Sequence, residues 1–364
     1  MLRDAGVDVQ TYFRSNDEIR DFGPASLATL PIRLFHSPAD VGAFRRMVRS
    51  FRPDVVHIHN PYPLISPSVI RVAHSEGIPV VATVHNYQHV CASQMYFRLD
   101  VASECRLCAG RRVPTPAVRY ACYHESRVQS AVMAAAIVAA RPVWRLVDRF
   151  LPVSDPIAEH LAETGIPRAQ ITVKPNPLPD PGPPTAPGEG FLLACRLRAE
   201  KGVRVLLRAW EMADVGSTSN LVVAGDGPDR EHVEETARRL PGIEYVGMQS
   251  REGVADLMKR CAVLVQPSQW HEPFGMTTVE AMARGRPVLA TAMGGMASHV
   301  DSEVGWSVGT SAEAIAEGLR QATAADLGGL GAAARRRYEE RFSPPVVTAQ
   351  LLRVYEEVSA ARPR

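Results

Sequence analysis

The sequence predicts an α/β protein of two doubly wound, Rossmann-like domains that face each other across a cleft. Its 364 residues are too many for one small core. A segment with seven prolines, PNPLPDPGPPTAPGEG (175–190), divides the chain near its middle. Proline at that density excludes helix and central strand, so the segment reads as a linker and hinge. On each side of it, short Val/Ile/Leu runs ending in polar or glycine turns alternate with helical patterns. Parallel strands covered on both faces leave that signature.

Before the linker, strands are predicted at VDVQTYF (7–13), DVVHIH (54–59), PVVATVHNY (79–87), RFLPVS (149–154) and ITVKPN (171–176). After it, they are predicted at GFLLACRL (190–197), NLVVAGDG (220–227), IEYVGM (243–248), AVLVQPS (262–268) and RPVLATAMG (286–294). Helices fall between them, among others at 202–213, 228–239, 251–260 and 277–284. The tail, 344–364, reads as an amphipathic helix with a frayed end, packing back on the N-terminal domain. The expected layout is therefore an N-terminal domain at 1–177 with a cysteine-containing insert at 88–125, a linker at 178–189, and a C-terminal domain at 190–343. Ligands of doubly wound sheets bind beyond the carboxyl ends of the strands, which makes the cleft the expected site.

Hydrophobic residues make up 46% and charged residues 22%, ordinary values for a globular protein. The longest apolar run, SAVMAAAIVAA (130–140), is far short of the roughly 20 residues that span a bilayer and is expected to stop at Arg141–Pro142. A basic start followed by an apolar stretch is not seen, so a cytoplasmic protein is expected. The net charge of +2 gives no reason to expect nucleic acid. Lys174, Lys201 and Lys259 are the only lysines; arginine carries nearly all the positive charge.

The densest chemistry lies in QPSQWHEPFGMTTVEAMARGRPVLATAMGG (266–295). Glu272 and Glu280 stand with seven residues between them, among them the turn Pro273–Phe274–Gly275–Met276 and the start of a helix, for which Thr277 or Thr278 is the candidate N-cap. The amino terminus of a helix after a glycine turn offers free N–H groups to an anion. The flanking carboxylates would repel a phosphate but accept hydrogen bonds from hydroxyls. Phosphate between two sets of hydroxyls describes a nucleotide sugar. Arg196 and Lys201, in CRLRAEKG (195–202) at a strand end, could neutralise a departing diphosphate in place of Mg²⁺, since no Asp-x-Asp motif occurs. GDGPDR (225–230) adds a glycine turn between strand and helix. Each feature alone also fits an ordinary surface charge or turn.

Together, in this order, CRLRAEKG, VAGDGP, VLVQPSQWHEPFGMTTVEAMARGRPVLAT and the double glycine resemble the retaining glycosyltransferases of family 4, which have the GT-B fold. The resemblance implies that Glu272 contacts donor-sugar hydroxyls and Glu280 the ribose. It implies that the backbone at Phe274, Gly275 and Met276 lines the sugar and phosphate, and that Arg196 and Lys201 grip the diphosphate. RPDVVHIHN (52–60) and PVVATVHNY are similar to two strands of the family's N-terminal domain. His85 then falls near the reacting donor sugar, and Asn176 in an interdomain turn. His57 and His59 share one face of a strand and read as structural.

Three departures from the family pattern stand out. Ser298 replaces an acidic residue common after the double glycine, and Asn86 replaces an aspartate common after the histidine. The opening, MLRDAGVDVQTYF, reads as the end of a helix and a second strand. The expectation is an N-terminal domain lacking its first strand and glycine-rich loop, in a chain that either begins further upstream or has lost activity.

Cys91, Cys105, Cys108 and Cys122 fall within 32 residues at spacings of thirteen, two and thirteen, which suits a structural tetrahedral zinc site; reduced thiols or a disulfide are the alternatives. Cys195 and Cys261 read as buried thiols. Arg111, Arg112, Arg119, Arg127, Arg141, Arg145 and Arg149 lie among apolar positions, a pattern that fits either a solvated helix face or contact with an anionic bilayer. The expected function is transfer of a sugar from a nucleotide diphosphate to a glycan or lipid-linked acceptor, with no cofactor required for catalysis. A sugar-nucleotide epimerase of the same architecture, or an inactive nucleotide-sugar-binding relative, are the rival readings.

Overall fold

The computed structural model describes residues 1–23 and 30–361. The chain forms two compact units. One comprises residues 1–96, 106–174 and the chain from Thr348 onward; the other comprises 97–105 and 175–347.

The first unit is built on three parallel strands, β1 (Val56–His59), β2 (Val80–Val84) and β5 (Arg149–Pro152), in the order β1-β2-β5. All five residues of β2, VVATV, are buried, as a central strand covered on both faces requires. The helix Ser68–Ser75 buries Val69, Ile70, Val72 and Ala73, an apolar stripe at helical spacing. The last helix, Pro344–Ala361, lays Leu351, Val354 and Val358 against Val81 and Leu151. Residues 362–364 of the predicted tail lie outside the described residues.

The second unit contains the two-stranded hairpin β3 (Phe97–Arg98) and β4 (Ser103–Glu104) and a parallel sheet of six strands. These are β6 (Phe191–Ala194), β7 (Leu221–Ala224), β8 (Ile243–Gly247), β9 (Val263–Gln266), β10 (Val288–Thr291) and β11 (Gly305–Val308). Their spatial order is β11-β10-β9-β6-β7-β8. The chain runs outward from β6 to β8, returns to the other side of β6 as β9, and runs outward again. The strand order therefore reverses between β6 and β9, and the loops leaving their carboxyl ends diverge into a crevice. Phe191, Leu193, Trp210, Val223, Val265 and Leu289 belong to the core beneath it.

Several elements differ from expectation. Residues 7–13 are extended but join no ladder among the described residues. Side chains anchor them instead: the Tyr12 hydroxyl donates to Asp40 at 2.6 Å, Arg14 donates to Asp40 at 2.7 Å, and the Tyr12 ring meets Phe44 edge-on. Of the predicted strand 171–176, only Ile171 forms a bridge, to Phe150. The helix Arg127–Trp144 passes through Pro142, which lies in its last turn and so removes a single N–H. β11 and the β3–β4 hairpin were not anticipated. The proline-rich segment is pinned rather than loose. Arg286, with none of its surface exposed, donates to the carbonyls of Thr185 and Ala186, the Thr185 hydroxyl, and the carbonyls of Met258 and Lys259. Arg335 grips Asp180 and the Gly182 carbonyl.

Candidate active site

Two loops meet at the switch point of the six-stranded sheet. The loop leaving β6 carries Arg196 and Lys201; the loop leaving β9 carries Trp270 and Glu272. A backbone bond from Gln269 N to Glu200 O, 2.8 Å, stitches them together. Lys201 Nζ donates to Glu272 Oε2 at 2.7 Å, and Trp270 Nε1 donates to the same oxygen at 3.0 Å. The Lys201 ammonium also lies 5.2 Å from the centre of the Trp270 ring. The lysine and glutamate side chains are 22% and 16% exposed, so the pair is partly withdrawn from water while keeping access to it. Glu272 Oε1 accepts no hydrogen bond from the described residues, which leaves it available to a hydroxyl.

The double glycine supports this glutamate from behind. Gly295 N donates to Glu272 O at 2.6 Å. Gly294 has φ +60, and a Cβ there would lie 2.3 Å from the same carbonyl oxygen. Phe274 is buried between the rings of His299 and Phe342. The N-cap of the next helix, Met276–Ala283, is Gly275 at φ +83 and not a threonine. Thr278, the predicted alternative cap, is fully buried. No side chain caps this helix, so no side chain competes with an anion for its first amides. Glu280, one turn further on, is half-buried. Burial raises its pKa, opposed by Arg284 and Arg251. Arg196 is exposed at the end of β6. The structure thus brings Lys201, Glu272 and the Gly275 turn together, and places Glu280 one helical turn beyond. His271 Nε2 pairs with Glu104 of the β3–β4 hairpin at 2.7 Å, which ties the Glu272 loop to that hairpin.

In the first unit, His85 follows directly on β2. Its Nε2 lies 2.9 Å from Nδ1 of His59, the last residue of β1. Burial, with the nearby Lys174 ammonium, holds His85 down at about 4. Burial, then His85 and Lys174, does the same for His59. Lys174 is itself buried, which lowers it to about 8. His57 is fixed between the Tyr355 hydroxyl (2.6 Å) and the Thr83 hydroxyl (2.7 Å).

Sequence reasoning missed Trp270 and the His59–His85 contact. The first had a local signal, an indole donor two residues before a key carboxylate. The second joins residues 26 apart and had none.

The four-cysteine zinc site is not formed. Among the described residues no group of three or more His, Cys, Asp or Glu side chains is placed to hold a metal. Among the described residues no two cysteines form a disulfide. Cys91 lies beside Ser93 before the hairpin, Cys105 just after it, Cys108 is buried in an apolar cluster, and Cys122 packs partly against that cluster. Cys261 is buried as expected, while Cys195 is half-buried; withdrawal from water pushes the Cys195 thiol up to about 12 and that of Cys261 to about 11.

No helix among the described residues is long and apolar enough to cross a membrane. Arg141 and Arg149 do not serve a basic surface. Arg141 donates to the carbonyls of Arg111 and Arg112, and Arg149 to Thr172. Arg111, Arg112, Arg119, Arg127 and Arg145 are exposed.

A Glycosyl transferase 4-like domain model matches residues 1–177, and a Glycosyl transferases group 1 model matches residues 188–340. The chain is 30% identical over 266 residues to the 2-deoxystreptamine N-acetyl-D-glucosaminyltransferase of Streptomyces fradiae, covering 70% of this chain and 58% of that protein. It is 27% identical over 260 residues to a glycogen synthase of Mycobacterium tuberculosis H37Rv, covering 69% and 55%. The matches thus span little more than half the length of these relatives. Among solved structures, Anabaena HepE in complex with UDP superposes with a TM-score of 0.62 at 16% identity, covering 88% of this chain and 82% of that one.

Proposed function

The chain belongs to the family 4 glycosyltransferases of the GT-B fold, and on that premise we propose that it transfers a hexosyl group from a nucleotide-diphosphate sugar to an acceptor hydroxyl, with retention, in the assembly of a cell-surface glycan. The observation that carries this reading is the Lys201–Glu272–Trp270 contact at the reversal point between β6 and β9, beside a helix that opens on an uncapped glycine turn. Breaking the bond between the sugar and the diphosphate leaves negative charge on the leaving group. Arg196, Lys201 and the amides after Gly275 are the fixed positive groups that would stabilise it. In this reading Glu272 orients the sugar through its hydroxyls, Glu280 accepts from the ribose, and His85 acts on the donor sugar.

The exposed arginines 111, 112, 119, 127 and 145, with the exposed side chains of Leu107, Val113 and Val128, would bring the enzyme to an anionic bilayer carrying a lipid-linked acceptor. Vesicles containing phosphatidylglycerol should sediment the protein, and neutral vesicles should not.

The test of the main reading is a panel of UDP- and GDP-sugars, scored by thermal stabilisation and by release of the nucleoside diphosphate with an alcohol or glycan acceptor. One donor should stabilise the chain and be consumed, giving a product with the donor's anomeric configuration. Failure of every donor to bind, or a product of inverted configuration, contradicts the proposal.

A further inference from the structure

His59 and His85 stand at the carboxyl ends of neighbouring parallel strands, and His59 is in register with Thr83. Their ring centres are 5.3 Å apart with the planes tilted by 30°, and His59 Nδ1 and His85 Nε2 lie at 2.9 Å. A single proton must lie on that line, because two lone pairs would repel and two N–H groups would collide. The remaining nitrogen of His85, Nδ1, then has its character dictated by His59. If His59 donates, His85 Nδ1 carries a proton; if His59 accepts, it carries a lone pair.

His59 is itself held. Its ring lies 4.3 Å from that of His57, and His57 is bonded at both nitrogens, to Tyr355 of the last helix and to Thr83 of β2. We propose that His59 is a positioning residue, which locks His85 in one neutral tautomer so that a single kind of nitrogen, Nδ1, is presented to the donor sugar. The proposal rests on the glycosyltransferase reading for what His85 touches. The locking itself is a statement about two rings of the first unit. Burial and the Lys174 ammonium keep both rings uncharged at neutral pH, as a one-proton bridge requires.

The test compares His59→Leu, His59→Asn and His59→Gln. An asparagine amide falls near the position of Nδ1, the nitrogen used here, while a glutamine amide reaches toward that of Nε2. His59→Leu should lower kcat about 100-fold, the scale set by misplacing a reacting group. Affinity for the nucleoside diphosphate should stay unchanged. His59→Asn should recover most of the loss and His59→Gln should not. Nitrogen-15 NMR of the His85 ring should show one tautomer in the wild type and a mixture in His59→Leu. Should His59→Leu fail to fold, the Asn and Gln pair carries the comparison. Wild-type kcat in His59→Leu, equal impairment of the Asn and Gln variants, or a wild-type His85 already in mixed tautomers would each overturn the proposal. If no nucleotide sugar is turned over, the functional reading fails while the NMR experiment still decides the tautomer.

Discussion

Replacing Glu272 by glutamine separates the two jobs assigned to this carboxylate. Glu272 Oε2 accepts from Lys201 at 2.7 Å and from Trp270 at 3.0 Å. Glutamine, with its oxygen in the place of Oε2, keeps the acceptor for both but removes the charge. A hydrogen bond to a charged group contributes about 1.5–3 kcal/mol and a neutral one about 1 kcal/mol, so the loss is roughly 0.5–2 kcal/mol. For a unit of this size that lowers Tm by about 1–8 °C. The Lys201 ammonium, no longer offset by a carboxylate, then faces the diphosphate with its full charge. Coulomb interaction at contact distance in a wet site is about 1 kcal/mol, so nucleoside diphosphate should bind up to about fivefold more tightly. Transfer should nevertheless fall about 100- to 1,000-fold, as when a preorganised polar contact to the reacting group is removed. Calorimetric titration with UDP or GDP, a melting curve and a transfer assay on the same preparation read all three quantities. Tenfold weaker diphosphate binding, or wild-type turnover, would refute the assignment of this carboxylate to the sugar.

Gly294→Ala should push a methyl group into the Glu272 carbonyl, which a Cβ would approach to 2.3 Å. Donor affinity should drop at least tenfold, by the roughly 1.4 kcal/mol or more that a displaced loop costs, measured by titration against an unchanged far-ultraviolet spectrum. Arg286→Met should leave several carbonyls without donors, each at a cost of about 1–3 kcal/mol, and destabilise the chain accordingly, read in urea unfolding; a loss under about 1 kcal/mol would mean the proline-rich segment is not held as described. Acid should destabilise the fold through His89, His160 and His299, all buried and held, chiefly by burial, at about 4, about 3 and about 4. Their contribution is complete above the unfolded value near 6.5 and is lost as the pH falls from there through about 4, because the unfolded chain takes up the protons first. For His299 that is about 2.5 pH units at about 1.36 kcal/mol each, or roughly 3 kcal/mol; His299→Gln should flatten the decline in stability between those pH values.

Much of the second unit was legible in the sequence because its strands are buried on both faces. FLLA and LVVA are apolar throughout, VLVQ and VLAT as far as their last residue, and every residue in the four is buried. The helix Arg251–Arg260 was read to the residue, since Ser250 caps it and Cys261 leaves helical geometry. β11 escaped because GWSV has one buried residue of four and begins on a glycine. The segment 7–13 has the composition of a strand, but its anchors are side chains from Tyr12 and Arg14 to one buried aspartate 26 to 28 residues away. Spacing alone could not place the cysteines, because apolar packing decides where Cys108 and Cys122 sit. Arg286 was read only as the first residue of a predicted strand; nothing local marks a guanidinium whose partners lie 27 to 101 residues distant. In the site, Glu272, Lys201 and Gly275 were legible as types at loop positions. Their direct contact was not, because it depends on two loops that the sheet's reversal brings together.

The most direct measurement is calorimetric titration of UDP and GDP, and of uridine and guanosine, into the wild type, Arg196→Ala and Lys201→Met. The account predicts that one diphosphate binds the wild type and that its nucleoside binds far more weakly. Each variant should lose about 10- to 150-fold on the diphosphate, the equivalent of a charge-assisted hydrogen bond of roughly 1.5–3 kcal/mol, while affinity for the nucleoside stays the same. Variants that bind the diphosphate as the wild type does would contradict the placement of the donor at the β6–β9 reversal.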